Sequence, residues 1–415
     1  MYKERALSKK IKRLAEHFPA VVISGARQVG KSTLISHLFP DYETVVFDPV
    51  LDIGNARKEP DLFLDNHSTP LVLDEIQYAP ELVPALKRRI DENRMPGGYI
   101  LTGSQQWAVL KSISESLAGR CVFADMEGFS LSEVAENVSD QSWLSRWLLN
   151  PAAFIKMKTR GINSERSLYE QLWRGWLPEA DQLPLDLLPD YYAAYFRTYI
   201  ERDVRGLADV VDWQQFGRFV QFASATTACE INHSQLGRDI GVTPQTARRW
   251  LALLRATFQW YEVPAYSGNA IKRISGKAKG YFADTGLACH LQQISSPTTL
   301  GGHPQTGALF ESGVMAEIRK MVSLESTPPA LWHWRTHRGA EVDILLERDG
   351  IFFPIEVKLT TSPSRKDTRG FRAFRETYPN LRVAPGLVIT PGGGGMGDQI
   401  QKISEQDYAI SWRTL

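Results

Sequence analysis

The feature that most constrains this chain is a glycine-rich segment near its beginning. Residues 25–33 spell Gly-Ala-Arg-Gln-Val-Gly-Lys-Ser-Thr and match the pattern G-x-x-x-x-G-K-[ST] at every fixed position. An apolar run, 20–24, precedes the segment, and a helix-like stretch, 32–39, follows it. Glycines at both ends allow a tight turn in which successive N–H groups and the start of the helix point at one anion. The segment therefore predicts a strand, a phosphate-binding loop, a helix, and binding of a nucleoside triphosphate.

The side chains of this segment have separate expected roles. Lys31 is expected to reach the β- and γ-phosphates, and the Ser32 hydroxyl to coordinate Mg²⁺. Arg27 is expected to brace the loop or to face an adjoining subunit. ATP and Mg²⁺ are thus the expected cofactors. The candidate nucleotide contacts are Gly25, Ala26, Arg27, Gln28, Val29, Gly30, Lys31, Ser32 and Thr33.

A second apolar run ends in two acids. Residues 71–73 lead into Asp74 and Glu75, the arrangement in which P-loop ATPases place an Mg²⁺-holding aspartate and a water-polarising glutamate. A glutamate directly after the aspartate favours hydrolysis over nucleotide binding alone. Ser104 follows the apolar run 99–103 and is expected to lie beside Glu75 and help to orient the water.

Two arginines are candidates for action between subunits. ATPases that work as rings need a cation from a neighbour to stabilise charge on the transferred phosphoryl group. Arg120, just before the run 121–125, is the first candidate for this catalytic role, and Arg202 is the second. A surface ion pair would explain either arginine nearly as well.

Bulk composition narrows the class of protein but names no partner. The chain has 415 residues and a formal net charge of +1, so it is expected to hold several domains, and any nucleic-acid surface must be a local patch. Its three cysteines, Cys121, Cys229 and Cys289, are too widely spaced for a metal cluster or a disulfide framework, which fits a reducing cytosol. The charged beginning and the lack of long apolar runs predict a cytoplasmic protein without a membrane span.

The chain divides into four predicted segments. Residues 1–130 alternate apolar strands with helical stretches, the pattern of a parallel α/β sheet. Residues 131–210 are helical and aromatic, and we interpret them as a packed lid or connector, with a base-stacking platform as the alternative. Residues 211–296 have the pattern of a winged helix, and 305–415 that of a second α/β unit. The Pro- and Gly-rich cluster at 297–307 is predicted to be a linker.

Individual elements follow from the same patterns. The first segment is predicted to have strands at 20–25, 44–48, 70–74, 99–103 and 121–125 and helices at 31–39, 80–92 and 105–113. The winged helix is predicted from helices at 213–228, 235–240 and 245–256 and strands at 259–266 and 279–283. The last unit is predicted to have a helix at 307–321 and strands at 342–346, 352–357 and 386–390.

Basic residues of the third segment suggest contact with DNA. They lie on the predicted recognition helix and on the wing, where Arg and Lys would neutralise phosphates without reading base sequence. A winged helix that binds proteins instead is the alternative. The candidate DNA contacts are Arg248, Arg249, Lys272, Arg273 and Lys277, together with Arg255 and Lys279.

A second set of acids lies near the end of the chain. Asp343 ends Glu-Val-Asp, and Glu356 and Lys358 follow on the next predicted strand, where alternation puts both on one face. Metal-dependent nucleases use this arrangement: Asp343 and Glu356 would chelate Mg²⁺, Lys358 would orient water, and Glu311 on the upstream helix would complete the acidic cluster. The alternative is a nuclease-derived unit retained for DNA binding or assembly.

The ordered motifs together resemble one widespread prokaryotic family. The motifs are the loop at 25–33, Leu-Asp-Glu-Ile-Gln at 73–77, Leu-Thr-Gly-Ser at 101–104, Leu-Ala-Gly-Arg at 117–120, Tyr-Ile-Glu-Arg-Asp-Val at 199–204, Phe-Ala-Asp-Thr-Gly-Leu at 282–287 and Ile-Glu-Val-Lys at 355–358. The family consists of AAA-type ATPases with a C-terminal restriction-endonuclease-like (PD-(D/E)xK) domain. The resemblance implies an AAA-type core, a winged-helix middle, a nuclease-like end and assembly of identical subunits into a ring, as a hexamer.

Three functions are compatible with these observations. The leading hypothesis is an ATP-hydrolysing DNA motor or remodeller that acts on duplex or branched DNA as a ring. The second is an ATP-regulated, metal-dependent DNA nuclease. The third is a regulatory ATPase switch that does not act on DNA.

Overall fold

The structure is a computed structural model of the chain. It describes residues 2–104, 117–158, 161–162, 165–199, 204, 212–269, 271, 273, 276–392 and 399–415. The predicted helix at 105–113, Arg202 and Lys272 fall outside these residues and stay predictions.

The first segment is built around a parallel sheet. Its strands are β1 (Ala20–Ser24), β2 (Glu43–Val46), β3 (Leu71–Asp74), β4 (Tyr99–Gly103) and β5 (Cys121–Asp125), and their order in the sheet is β2-β3-β4-β1-β5. β1, β3 and β4 are buried along their whole length, as expected of apolar strands covered on both faces. The predicted parallel α/β sheet is confirmed, with each of its predicted strands present.

Helices cover both faces of this sheet. They are α1 (Ser8–Ala15), α2 (Lys31–Leu38), α3 (Pro60–Asp65) and α4 (Leu82–Glu92), with short 3₁₀ turns at Ile53–Asn55 and Ile76–Tyr78. Successive residues of β1 point to opposite faces of the sheet. Val21 packs in the apolar cluster that includes α1 and α2, and Val22 packs in the cluster that includes α4. The strand is therefore apolar at every position from Ala20 to Ile23.

Short helices follow the sheet. They are α5 (Leu131–Val134), α6 (Trp143–Leu149), α7 (Pro151–Phe154), α8 (Leu168–Arg174), α9 (Pro178–Gln182) and α10 (Leu188–Thr198), with a 3₁₀ turn at Leu185–Leu187. Trp147, Tyr192 and Tyr199 are almost fully buried. Side chains at these depths cannot stack on bases, so the packing interpretation replaces the alternative of a base-stacking platform for these residues.

The third segment combines three helices with a small antiparallel sheet. Its elements are α11 (Trp213–Ala225), β6 (Cys229–Glu230), α12 (His233–Ile240), α13 (Pro244–Ala256), β7 (Trp260–Val263) and β8 (Lys279–Phe282), and the strand order is β6-β8-β7. Thr243 caps α13 by accepting a hydrogen bond from the Thr246 N–H, as its sequence predicts. α11 ends before the predicted residue 228, because Ala228 takes a positive φ of 58° as the chain turns into β6.

The Pro- and Gly-rich cluster at 297–307 is a folded part of the chain, and the prediction of a linker was wrong. Residues 297–301 form α15 (Pro297–Gly301), which follows α14 (Thr285–Leu291) and is capped by the Ser296 hydroxyl. Leu300 is fully buried. Proline at the first helical turn and a serine cap start a helix as readily as they mark a loop.

The last segment contains a mixed sheet of seven strands. Its helices are α16 (Thr306–Leu324) and α17 (Arg369–Thr377), with 3₁₀ turns at Arg365–Thr368 and Trp412–Thr414. Its strands are β9 (Ala330–Arg335), β10 (Glu341–Arg348), β11 (Ile351–Val357), β12 (Arg382–Val383), β13 (Gly386–Thr390), β14 (Gln401–Lys402) and β15 (Asp407–Ser411). The order is β14-β15-β13-β11-β10-β9, with β12 beside β11. The three predicted strands are present as β10, β11 and β13, whereas β9, β12, β14 and β15 were missed.

One apolar cluster runs through all of these segments. It includes Val21 of β1, Trp147 of α6, Phe216 of α11 and Ile410 of β15. The segments therefore share a core instead of hanging on flexible connections. Among the described residues, no helix combines the length and apolar character needed to cross a bilayer.

Candidate functional site

The glycine-rich loop has the backbone that its sequence predicts. Gly25 has a φ of 154° and Gly30 a φ of 93°, and α2 begins directly after Gly30. A Cβ at Gly25 would lie 2.1 Å from the carbonyl oxygen of Met126, so a larger residue cannot be accommodated without backbone movement. The Lys31 ammonium donates to the carbonyl oxygens of Gly25, at 2.9 Å, and Ala26, at 2.8 Å. The lysine is thereby held across the mouth of its own loop.

Asp74 lies directly beside the loop. Its Oδ2 accepts a hydrogen bond of 2.7 Å from the Ser32 hydroxyl, and its Oδ1 accepts one from the Thr102 hydroxyl. Asp74 is only 5% exposed. A hydroxyl and a carboxylate at this distance are the donor set that Mg²⁺ accepts beside nucleotide phosphates. The residues present therefore fit the expected metal.

Glu75 is oriented by two neighbours. It has a positive φ of 59°, and its N–H donates to the Thr102 hydroxyl at 2.9 Å. The Gln77 amide donates to Glu75 Oε2 and, at 3.1 Å, to the Ser104 hydroxyl, which itself lies 3.4 Å from Glu75 Oε2. The structure thus brings Glu75 and Ser104 together as expected.

Sequence reasoning assigned no role to Thr102, Gln77 or Arg5. Thr102 and Gln77 lie inside motifs that were recognised. Thr102 is in the last part of β4 and Gln77 is in the 3₁₀ turn after β3, and these positions were the available signal. Arg5 is 6% exposed and donates to the carbonyl oxygens of Val29, at 2.7 Å, and Glu127, at 2.6 Å. It braces the loop from outside, and nothing in its local sequence marks it.

Of the two candidates for action between subunits, the structure describes Arg120, which does not face the loop's phosphate site. Arg120 makes a two-pronged contact with Asp91, Nε–Oδ1 at 2.6 Å and Nη2–Oδ2 at 2.8 Å. It precedes β5 at the amino edge of the sheet, whereas the loop follows the carboxyl end of β1, which runs parallel to β5. Arg120 therefore cannot serve its own loop. Arg27 donates to the Tyr78 hydroxyl at 3.0 Å, consistent with bracing.

Helix α10 connects the loop to the third segment. The Tyr191 hydroxyl donates to Gln28 Oε1 at 2.8 Å, and the Tyr195 hydroxyl lies 3.5 Å from the carbonyl oxygen of Arg27. Gln259, just before β7, donates to the Tyr195 hydroxyl at 3.1 Å. A cavity of about 410 Å³ adjoins the loop here and reaches Trp260. Tyr195 thus contacts both the loop and the third segment.

The basic residues of the third segment differ in solvent exposure and in their side-chain contacts. Arg248 and Arg249 are exposed on α13, and Lys277 is exposed before β8. Arg255 pairs with Glu262 at 3.0 Å, and Arg273 stacks on the Tyr266 ring with its Cζ 4.6 Å from the centroid. Arg248, Arg249 and Lys277 are therefore the most available for an external anion.

Glu311, Asp343 and Lys358 line one pocket of about 450 Å³, and Glu356 lies next to it in contact with Lys358. Asp343 of β10 and Glu356 of β11 are each 4% exposed, and Glu311 reaches the pocket from α16. Lys358 Nζ lies 2.6 Å from Glu356 Oε1 and 3.8 Å from Asp343 Oδ2. The Tyr281 hydroxyl donates to Glu311 Oε1 at 2.7 Å.

Lys279 also lies in this pocket, which corrects its assignment to a DNA-binding wing. Its Nζ lies 2.5 Å from Glu311 Oε1 and 3.3 Å from Asp343 Oδ1, and its side chain is 12% exposed. Burial, and then the negative charge of Asp343, raise the pKa of Glu311 to about 7. Burial alone would lower the pKa of Lys279, but Glu311 and Asp343 raise it above its usual range.

The pocket as it stands does not fit a metal ion. Among the described residues, no group of three or more His, Cys, Asp and Glu side chains is arranged to hold one. The Lys279 ammonium lies against the oxygens of Glu311 and Asp343 that a metal would need. Glu311, Asp343 and Glu356 as metal ligands therefore stay a prediction that this arrangement does not meet.

Comparison with known families identifies the first segment. Residues 17–135 match the model described as an AAA domain. Residues 165–298 and 306–414 match two models described as domains of unknown function, DUF8612 and DUF4143.

Similar proteins and solved structures cover most of this chain but have low sequence identity to it. The uncharacterized proteins Rv2008c of Mycobacterium tuberculosis and Mb2031c of Mycobacterium bovis are each 26% identical over 393 residues, which is 94% of this chain and 81% of theirs. A Walker-type ATPase of Pyrococcus abyssi has a TM-score of 0.41 at 14% identity, over 70% of this chain and 96% of that one. The Thermotoga maritima RuvB Holliday junction branch migration motor has a TM-score of 0.30 at 15% identity, over 66% and 95%.

Structural likeness at these TM-scores carries no argument about what the chain acts on. The loop, the strand order and the family match over 17–135 agree with one another. Residues 17–135 form a P-loop ATPase domain of the AAA type.

Proposed function

We propose that this chain hydrolyses ATP with Mg²⁺ and uses the reaction to move or remodel duplex or branched DNA. The observation that carries hydrolysis is the convergence of Lys31, the Ser32–Asp74 pair and Glu75 at one edge of the sheet. In open α/β sheets ligands bind beyond the carboxyl ends of the strands, which is where all of these residues lie.

Each residue has a defined task in this proposal. Lys31 exchanges its two carbonyl partners for phosphate oxygens when ATP enters. Ser32 and Asp74 would hold Mg²⁺, which would neutralise the negative charge that develops on the phosphates. Glu75, oriented by Gln77 and Ser104, polarises the attacking water.

Helix α10 supports transmission from the ATP site to the third segment. Phosphate binding would shift the carbonyl groups of the loop. The Tyr195 hydroxyl lies between one of them, the Arg27 carbonyl oxygen, and the side chain of Gln259. Gln259 follows α13 and precedes β7. A small shift of the loop can therefore reach α13 through packed side chains without any long rearrangement.

The DNA-facing surface in this proposal is α13 with the following wing, as in a winged helix. Arg248, Arg249 and Lys277 are exposed there and would contact phosphates. The formal net charge of +1 gives no general attraction to DNA, so affinity has to come from this local patch.

Arg120 supports assembly into a ring, which we propose is a homo-hexamer. The residue lies at the edge of the sheet opposite to its own loop. Only a neighbouring subunit could receive it at an ATP site, where it would leave Asp91 and stabilise charge on the transferred phosphoryl group.

The decisive experiment measures ATP turnover with single-stranded, duplex and four-way-junction DNA, with particle size recorded with and without nucleotide. We expect stimulation by duplex or branched DNA that is lost in the double variant Arg248→Ala and Arg249→Ala. Arg372→Ala is the matched control. Arg372 is 72% exposed and lies on α17, which belongs to the last segment and not to the proposed DNA-binding surface. Turnover of the wild type that is indifferent to all three DNAs would overturn the DNA proposal. ATP-dependent capture of a protein together with absence of DNA binding would favour a regulatory switch.

A metal-dependent DNA nuclease is a second candidate, favoured by one observation. Lys358, which follows β11, contacts both Asp343 of β10 and Glu356 of β11. Incubation with Mg²⁺ or Mn²⁺ and DNA should then give cleavage that Asp343→Ala abolishes. Absence of cleavage by the wild type would sink this candidate and leave the pocket a structural or assembly element.

A further inference from the structure

Lys279 enters the acidic pocket from a different part of the chain than the acids do. It is the first residue of β8, which pairs with β7 on one side and with β6 on the other. Glu311 belongs to α16 and Asp343 to β10. The contact is therefore an ion pair between the third segment and the last one, and pairing on both sides holds the backbone of Lys279 in place.

The acids of the pocket depend on two lysines for compensation. Lys279 Nζ lies beside Glu311 and Asp343, and Lys358 Nζ lies beside Glu356 and Asp343. Glu356 Oε2 is buried and has no hydrogen-bond partner. Buried carboxylate oxygens are costly without a partner, so these acids cannot lose a lysine without a replacement cation.

The two lysines differ in how they reach the acids. Lys358 follows β11, the strand that carries Glu356, and its side chain is 34% exposed. Lys279 is 12% exposed and lies between Glu311 and Asp343, with Tyr281 of the same strand bonded to Glu311. Movement of the third segment would withdraw Lys279 but leave Lys358 among the acids.

We propose that Lys279 is the resident cation of this pocket: it excludes a divalent metal ion from Glu311 and Asp343 and ties the third segment to the last sheet. An ammonium and a metal ion compete for the same carboxylate oxygens, so only one of them can lie between these residues at a time. Without the ammonium of Lys279, Glu311 and Asp343 lose the cation that lies between them, and a divalent metal ion can occupy that position. This inference depends on neither ATP hydrolysis nor DNA binding.

The test is a titration of nucleotide-free protein with Mn²⁺, followed by electron paramagnetic resonance of free Mn²⁺. Lys279→Met keeps most of the side-chain volume and removes the charge, whereas Lys279→Arg keeps the charge. We expect Lys279→Met to gain one bound Mn²⁺ per chain, at least tenfold tighter than any such ion in the wild type. Adding Asp343→Asn should abolish it, and the Arg variant should behave as the wild type. The Asp343→Asn step separates this ion from any Mn²⁺ held near Ser32 and Asp74.

Two results would overturn the inference. The first is a wild type that binds an Asp343-dependent Mn²⁺ as tightly as Lys279→Met does. The second is a Lys279→Met variant that binds no Asp343-dependent Mn²⁺. If Lys279→Met does not fold, the double variant Lys279→Met and Glu311→Gln removes one charge of each sign. This double variant should fold, and its melting temperature should not change when Mn²⁺ is added. The melting temperature of Lys279→Gln should rise with Mn²⁺ by more than that of the wild type does.

Discussion

The Ser32 hydroxyl donates a hydrogen bond of 2.7 Å to Asp74 Oδ2, although 42 residues separate them along the chain. Ser32 follows the end of β1, and Asp74 ends β3. β4 lies between these strands, and its Thr102 bonds to the other oxygen of Asp74. Three strands thus hold one carboxylate against the phosphate-binding loop, which makes the ATP site the best-defined site among the described residues.

Replacing Lys31 by Ala should abolish tight ATP binding. The ammonium lies across the mouth of the loop, and a charge-assisted hydrogen bond contributes ~1.5–3 kcal/mol, or roughly 10- to 100-fold in affinity. Binding of a fluorescent ATP analogue measures the loss. Lys12→Ala is the control, since Lys12 is exposed on α1; equal affinity of the two variants would contradict the role of Lys31.

Glu75→Gln should trap ATP without turnover. The amide cannot polarise water as a carboxylate does, and loss of a general base slows reactions by ~100-fold or more. ATP affinity should stay within about threefold of the wild type, because Lys31 and Ser32 are untouched. Phosphate release and retained nucleotide are the measurements. Undiminished hydrolysis would mean that another group positions the water.

Gly25→Ala should destabilise the first segment. Its Cβ would lie 2.1 Å from the Met126 carbonyl oxygen, so the loop or the residues after β5 must move, at a cost of ~1–3 kcal/mol. Urea unfolding measures the change in the free energy of unfolding. Gly302→Ala is the control, because a Cβ there meets no atom within 4 Å. Similar stabilities would show that the loop adapts freely.

Tyr195→Phe should weaken the response of ATP turnover to DNA while leaving basal turnover nearly unchanged. The substitution removes the hydroxyl that lies between Arg27 and Gln259 but keeps the ring in the core. Tyr199→Phe is the matched control, since the Tyr199 hydroxyl contacts Thr257 instead of the loop. Unaltered stimulation in Tyr195→Phe would argue that coupling takes another route.

Arg120→Ala should lower ATP turnover but not ATP affinity, because the arginine would act only on a neighbour's ATP. Trans-acting arginines contribute on the order of 1000-fold or more to turnover. Mixing Arg120→Ala with Glu75→Gln should restore part of the activity, since each Arg120→Ala site can then receive an intact arginine. No recovery in the mixture, with both variants shown to co-assemble, would exclude Arg120.

Much of the ATP site could be predicted because its signals are local. The loop at 25–33 and the acids at 74–75 each lie in one short run beside an apolar strand, and parallel strands carry such ends to one edge. Gln77 and Thr102 were within reach of the same reasoning. Arg5 was not, because its side-chain contacts come from residues more than twenty positions away.

The sequence by itself determined where phosphates bind, since glycine positions and a strand–loop–helix pattern dictate backbone conformation over a few neighbouring residues. Only the tertiary structure decided the partners of the long charged side chains. Lys279 looks like a wing residue in the sequence yet lies buried between Glu311 and Asp343, and Arg120 lies against Asp91 at the far edge of the sheet. A flexible lysine or arginine reaches whichever charge the packing of distant elements brings near it, and no local pattern encodes that distance.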